Sequence, residues 1–324
     1  MTNSLLSATV YTVYSCKEEF KMQIFVACPR GFCAGVERAI ETVEIAIRRY
    51  PEKKIFVYHE IVHNSRVIQD FKARGVDFIE DITKVEPKSV LIFSAHGVSE
   101  EIEKYVKSLD LVLVDATCPL VSKIHREVQR FEKEGFIILV IGNRNHAEII
   151  GTVGRTKTQA YIVQDPEDID NLPSITGKLA YVTQSTLALE YTSTMINKIK
   201  EKFPNVVGRS DVCYATQNRQ EAVKALAKEV DLMLIVGSTN SSNSRNLMQV
   251  SSKICQKAFL IDNYNEVEPD WFEGVDRVGI SSGASAPEIL VQDLVSFLKK
   301  RFPSAEVSDF KFKEEKVQFK LPII

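Results

Sequence analysis

One pattern recurs three times along the 324 residues: a cysteine-bearing loop feeds a helix-like run, and an apolar strand ending in a polar loop follows. The cysteine loops are Gly31-Phe32-Cys33-Ala34-Gly35, Ala116-Thr117-Cys118-Pro119 and Asp211-Val212-Cys213-Tyr214. The polar loops are His59-Glu60-Ile61-Val62-His63-Asn64, Asn143-Arg144-Asn145-His146-Ala147-Glu148 and Ser238-Thr239-Asn240-Ser241-Ser242-Asn243. A third strand follows in each cycle, at Val76–Ile79, Ala160–Val163 and Ala258–Asp262. A fourth ends in Ser94-Ala95-His96-Gly97, Thr183-Gln184-Ser185-Thr186 and Ser281-Ser282-Gly283-Ala284-Ser285. From Cys33 to Cys118 is 85 residues and from Cys118 to Cys213 is 95, so each cycle has the size of a small domain.

Short β-branched or aromatic runs (Met22–Cys28, Ile55–Tyr58, Val90–Ser94, Leu111–Asp115) alternate with runs of helical apolar spacing (Glu37–Tyr50, Val121–Glu134). That alternation predicts parallel βαβ units and an α/β fold. The cycles place domains at 22–116, 117–210 and 211–303, after an extension at 1–21 and before a C-terminal tail at 304–324. Ligands of parallel α/β sheets bind at the carboxyl ends of the strands. If three such domains share an axis, their loops converge, and one cysteine from each meets the other two.

The 41 basic and 43 acidic residues give a net charge of −2, with none of the basic excess of a nucleic-acid or membrane-surface protein. No apolar run approaches the ~18 residues that span a bilayer, and no secretory signal is visible. Six scattered cysteines without C-x-x-C spacing do not suggest a zinc ribbon or a thioredoxin motif, and a cytoplasmic chain of this size, the location expected here, rarely uses disulfides. Cys16, Cys28 and Cys255 read as stray or buried thiols.

Three thiolates meeting at a point suit a cubane iron–sulfur cluster with one iron lacking a protein ligand. An open iron polarises a substrate oxygen and passes electrons to it. A structural zinc site takes four protein ligands, and three unrelated buried thiols are the bland alternative. The other loops supply His63, His96, His146, Ser241, Ser242, Asn243 and Ser285, a donor set for a compact polyanion such as diphosphate. Asn243 and Ser285 also stand near helix starts, where backbone N–H groups attract phosphate. There is no P-loop and no G-x-G-x-x-G, which counts against nucleotide triphosphates and dinucleotides. Glu148, two residues after His146, suits proton delivery beside an open metal site; capping of the following helix is the equal alternative. His59 and His125 read as structural.

These residues resemble the 4-hydroxy-3-methylbut-2-enyl diphosphate reductase family, also called IspH or LytB. The resemblance rests on Pro29-Arg30-Gly31-Phe32-Cys33-Ala34-Gly35, His59-Glu60-Ile61-Val62-His63-Asn64, Ser94-Ala95-His96-Gly97-Val98, Asp115-Ala116-Thr117-Cys118-Pro119-Leu120, Cys213-Tyr214-Ala215-Thr216, Asn218-Arg219-Gln220, Asn240-Ser241-Ser242-Asn243-Ser244 and Gly283-Ala284-Ser285-Ala286-Pro287. It implies a trefoil of three pseudo-equivalent parallel α/β domains around one central 4Fe–4S cluster. It further implies reductive removal of an allylic hydroxyl in the last step of the non-mevalonate isoprenoid route. By residue match Cys33, Cys118 and Cys213 are cluster ligands. His63, His96, His146, Ser241, Ser242, Asn243 and Ser285 match the diphosphate contacts. Glu148 matches the proton-delivery carboxylate, with Ser185 or Thr186 beside the substrate hydroxyl. The chain departs from the family at Ala147, where proline is common, at Asn143, where a basic residue is common, and at Ser185, a threonine in some relatives.

A hydratase or dehydratase would use the same open iron without consuming electrons, and a cluster-bearing sensor would need no anion site. The chain shows no flavin or nicotinamide motif, so electrons are expected from a separate protein such as a ferredoxin or flavodoxin.

Overall fold

A computed structural model describes residues 21–324. Strand β1 (Gln23–Cys28) leads through Cys33 into α1 (Ala34–Arg49). Then come β2 (Ile55–Tyr58), α2 (Ser65–Ala73), β3 (Val76–Ile79), β4 (Val90–Phe93), α3 (Glu100–Lys107) and β5 (Val112–Asp115). The second cycle runs α4 (Pro119–Lys133), β6 (Phe136–Ile141), α5 (Ala147–Val153), β7 (Ala160–Val163), α6 (Pro166–Asp170), β8 (Lys178–Thr183), α7 (Leu189–Lys202) and β9 (Val207–Gly208). The third runs α8 (Tyr214–Leu226), β10 (Leu232–Val236), α9 (Ser242–Ser252), β11 (Lys257–Ile261), β12 (Arg277–Ser282), α10 (Glu288–Arg301) and β13 (Glu306–Lys311).

These strands form three sheets, ordered β3-β2-β4-β5, β7-β6-β8-β9 and β11-β10-β12-β1-β13, and every pairing is parallel. Two central strands, VLIF of β4 and LMLIV of β10, are apolar throughout and buried at every residue. Such runs bury both faces, and helices must cover each side. Helix α1 supplies that cover with Val36, Ala39, Val43 and Ala46 on one buried face.

The α/β class and three parallel units agree with the expectation; the expected boundaries do not hold at either end. Strand β1 occupies in the third sheet the place that β5 and β9 occupy in the first and second. Its Ile24 and Val26 join the third sheet's core, so β1 is not part of the unit at 22–116. The region expected as a tail at 304–324 contains β13, which pairs with β1 from Gln23↔Glu306 to Cys28↔Lys311. The fourth strand of each sheet therefore delivers the cysteine that opens the next cycle. The expected extension, apart from Lys21, and Cys16 lie outside the described residues.

Candidate functional site

Each of the three cysteines occupies the N-cap of a helix: Cys33 of α1, Cys118 of α4 and Cys213 of α8. Three helix N-termini thus face the thiols, and the positive end of each dipole favours sulfur in its anionic form. All three line one cavity, together with His63, His96, His146, Glu148, Ser185, Thr186, Ser241, Ser242, Asn243 and Ser285. Every residue that the sequence offered for the cluster, the anion or proton delivery lines this cavity. Cys28 lies outside this cavity beneath the guanidinium of Arg30 (Nη1 to Sγ 3.0 Å), and Cys255 is buried in the third unit.

The sulfurs are packed closely enough to exclude a side chain between them. A Cβ on Gly35 would lie 2.6 Å from Cys118 Sγ and 3.8 Å from Cys33 Sγ. Burial first, then the neighbouring Cys33, pushes the Cys118 thiol up to about 12, and the same causes push Cys213 to about 11. Without a cation the thiols of Cys118 and Cys213 resist ionisation; a bound metal centre reverses that balance and holds them as thiolates. The all-sulfur donor set, one short of the usual four, fits an iron–sulfur cluster with one iron free of protein ligands.

The same cavity is lined by three imidazoles that follow the carboxyl ends of β2, β4 and β6. The His63 and His96 rings stack at 4.2 Å, and His146 meets them edge-on at 5.1 and 5.5 Å. His146 is the N-cap of α5: its Nδ1 accepts from Glu148 N at 3.1 Å. That acceptor role puts the ring proton on Nε2. His63 Nδ1 bonds Glu60 Oε2 at 2.9 Å, and its buried Nε2 has no partner. One potential ligand atom from each ring lies within 4.8 Å of the others, a spacing that also suits a metal ion. A metal needs a lone pair from each, however, and Nε2 of His146 carries a hydrogen. The trio is therefore better suited to an anion. Burial, then His63 and His146, holds His96 well below the usual histidine range; burial, then His63 and Arg245, holds His146 at about 3. A polyanion beside the rings acts on His96 in the opposite direction and favours its charged form, whereas His146, with Nδ1 accepting from Glu148 N, offers its Nε2 hydrogen as a neutral donor.

Hydroxyls and amides complete the wall. Ser241 caps α9 through its Oγ, which accepts from Ser244 N, and Ser242 and Asn243 form that helix's first turn. Ser285 Oγ donates to His63 O at 2.9 Å. Asn243 is partly committed: its Oδ1 accepts from Ala284 N (2.9 Å) and its Nδ2 donates to Thr216 Oγ1 (3.3 Å), leaving one amide hydrogen.

Glu148 is 2 % exposed and does not cap α5, a task done by His146. Its Oε1 accepts from Ser185 N at 2.7 Å and its Oε2 bonds Ser185 Oγ at 2.8 Å. Burial pushes its carboxyl up to about 7, against the pull of those two bonds and with a further push from Asp211. A carboxyl poised there holds a proton near neutrality and releases it on demand. Sequence reasoning overlooked Gln184, which is 1 % exposed. Its Nε2 donates to Thr186 Oγ1 (2.9 Å) and its Oε1 accepts from Asn143 N (3.0 Å), so it orients the loop beside Glu148. A glutamine flanked by hydroxyl residues just past an apolar strand was the available signal. His125, by contrast, lies on the buried face of α4, away from the cavity, with burial holding it at about 3.

No helix among the described residues is long and apolar enough to cross a membrane. The family model described as LytB protein matches residues 24–299. A relative from Ehrlichia ruminantium (strain Gardel), named 4-hydroxy-3-methylbut-2-enyl diphosphate reductase, is 46 % identical over 306 residues, covering 93 % of each chain. One of the same name from Wolbachia pipientis wMel is 45 % identical over 307 residues, covering 93 % of this chain and 99 % of the relative. The solved E-1-hydroxy-2-methyl-but-2-enyl-4-diphosphate reductase of Plasmodium falciparum superposes with a TM-score of 0.90 at 37 % identity, covering 93 % of this chain and 96 % of the other. A second solved structure, described as the terminal enzyme of the non-mevalonate pathway, gives 0.63 at 31 % identity over 86 % and 99 %. Matched along nearly its whole length in both sequence and fold, the chain belongs to the LytB family.

Proposed function

We propose that this protein is a 4-hydroxy-3-methylbut-2-enyl diphosphate reductase, converting its substrate to isopentenyl and dimethylallyl diphosphates. The observation that carries the reading is a single cavity lined by three cysteines at helix N-caps, three clustered imidazoles and the buried Glu148. Cys33, Cys118 and Cys213 would hold one 4Fe–4S cluster. When bound, that group supplies electrons and a Lewis-acidic iron.

The chain's own groups do the rest. His63, His96 and His146 bind the diphosphate, with Ser241, Ser242, Asn243 and Ser285 adding neutral donors. That anchoring fixes the allylic hydroxyl near the thiols. Glu148, held by Ser185, presents a proton to the departing oxygen, and Thr186 lies in the same wall. Overall, the carbon–oxygen bond breaks, two electrons and two protons enter, and water leaves. The electrons come from a separate carrier protein such as a ferredoxin or flavodoxin. The five described cysteines are all free thiols, which suits the reducing cytoplasm.

The test is anaerobic purification followed by iron and sulfide determination and a reductase assay with a low-potential chemical reductant. Cluster-containing protein that forms both products with two electrons consumed per turnover supports the proposal. Turnover without electron consumption would indicate a dehydratase, and no turnover of the diphosphate would sink the reading.

A further inference from the structure

Two arginines grip the backbone immediately upstream of two of the cysteines. Arg219 stands on α8, the helix capped by Cys213, and is only 1 % exposed. Its Nη2 donates to Gly31 O (2.8 Å) and Phe32 O (3.3 Å), and its Nε donates to Gly31 O (3.2 Å). The side chain thus ties the Cys213 helix to the turn just before Cys33. Gly31 sits there at φ +66°, a conformation that turns its carbonyl at little steric cost. Arg38 stands on α1, the helix capped by Cys33, and its Nη1 donates to Thr117 O at 3.0 Å, directly before Cys118. Each arginine therefore rides on one cysteine's helix and holds the next cysteine's loop.

A single extended segment closes both grips. Glu315 accepts from Arg219 Nη1 at 3.1 Å through each carboxylate oxygen, and Asn218 Nδ2 donates to Glu315 Oε1 at 2.9 Å. Five residues on, Lys320 O accepts from Arg38 Nε at 2.8 Å. The segment follows β13 out of the third sheet, and Ile324 packs on the first sheet's core. A buried guanidinium whose carboxylate is removed is strongly destabilised and draws water or neighbouring groups toward itself. Here the neighbouring groups are the carbonyls that fix Cys33.

We propose that Arg219 and Arg38, closed by Glu315 and Lys320, are positioning residues that set the spacing of the cysteine triangle and so retain the metal centre. The inference rests on the cluster reading above. It adds that retention depends on a segment that contributes no ligand.

The experiment uses the full chain carrying Glu315→Gln, with Glu314→Gln as control; Glu314 is exposed and pairs with Lys316. Anaerobically loaded protein is challenged with an iron chelator, and bleaching of the visible absorbance is followed. Glu315→Gln should lose iron about tenfold faster than the control, the change produced by a local loss of about 1.4 kcal/mol. A second measurement needs no metal: iodoacetamide alkylation of the apoprotein, read residue by residue by mass spectrometry. Cys33 should react faster in Glu315→Gln, and Cys118 faster in Arg38→Gln, while buried Cys255 keeps its rate in both. Equal release and alkylation in Glu315→Gln and its control would overturn the proposal. So would a rise at Cys255 matching that at Cys33, which would indicate general loosening. If the parent protein binds no iron, the cluster reading fails, and the alkylation pattern still decides whether the clamp exists.

Discussion

Glu148→Gln separates a proton store from a structural carboxylate. Gln accepts from Ser185 N and donates to Ser185 Oγ, so both hydrogen bonds of Glu148 persist in altered form. What disappears is the titration. Burial raises the Glu148 carboxyl from 4.5 to about 7, so the folded chain holds this proton more tightly than the unfolded chain does. The stability linked to it is therefore complete below 4.5 and is lost as pH rises toward and through about 7. By about pH 8 the parent has lost roughly 3 kcal/mol that the variant has not. Asp211, pushed up to about 6 mainly by burial, loses stability in the same direction but is present in both proteins. Urea unfolding of the two apoproteins at about pH 5 and about pH 8 should therefore give close midpoints at the lower pH and a variant advantage at the higher one. In single-turnover reductase assays of prereduced protein, the variant should lose about 10²–10⁴ in rate with substrate affinity retained. The parent's rate should fall as pH rises through about 7 and Glu148 loses its proton. A midpoint difference that stays constant with pH would show that Glu148 stores no proton, and near-normal turnover in the variant would remove it from catalysis.

Three further outcomes are expected. Gly35→Ala puts a Cβ 2.6 Å from Cys118 Sγ, so iron content should collapse even though alanine favours a helix by roughly 0.5–1 kcal/mol; iron analysis beside a melting curve checks both. His146→Asn keeps an N-cap acceptor for α5 but removes the imidazole, so the fold should persist while diphosphate binding, measured calorimetrically, weakens by about one to two decades. Cys33→Ser should lose the cluster and Cys28→Ser should keep it; the reverse iron contents would refute the ligand assignment.

The site was legible because its residues sit where parallel strands end. His63 and His146 stood at equivalent loops of successive cycles, His96 at the end of a fourth strand, and the cysteines at equivalent loops of their own; the structure gathers them in one cavity. The parallel α/β class was equally readable, since runs such as Val90–Phe93 are buried at every position and carry no polar face. Sheet membership at the ends was not. QIFVAC of β1 would pack equally well beside several apolar strands, and nothing in its six residues encodes β12 as its neighbour. Strand β13 reads EVSDFK, almost wholly exposed, because it is an edge strand with little to bury, so it lacks the apolar signal of a strand. The division of labour at residues 146–148 was also hidden. An imidazole accepting a backbone N–H looks, in sequence, the same as one donating to a ligand. Arg219 and Glu315 lie 96 residues apart, and only the folded chain shows that they meet.

The place of β1 bears on when the site comes into being. Of the described strands β1 leaves the ribosome first, yet its two partners, β12 and β13, come near the end of the described chain. The first and second sheets use strands that are close in sequence and can pair early, whereas the third waits for synthesis through Lys311. Pairings of such long sequence separation form late. Until then the loop bearing Cys33 hangs from an unplaced strand, and the thiols of Cys118 and Cys213 lack their third member. With the proposed cluster at these cysteines, metal loading would act as a proofreading step: a polypeptide cut short before β13 lacks the edge pairing that seats β1, and so the loop that presents Cys33.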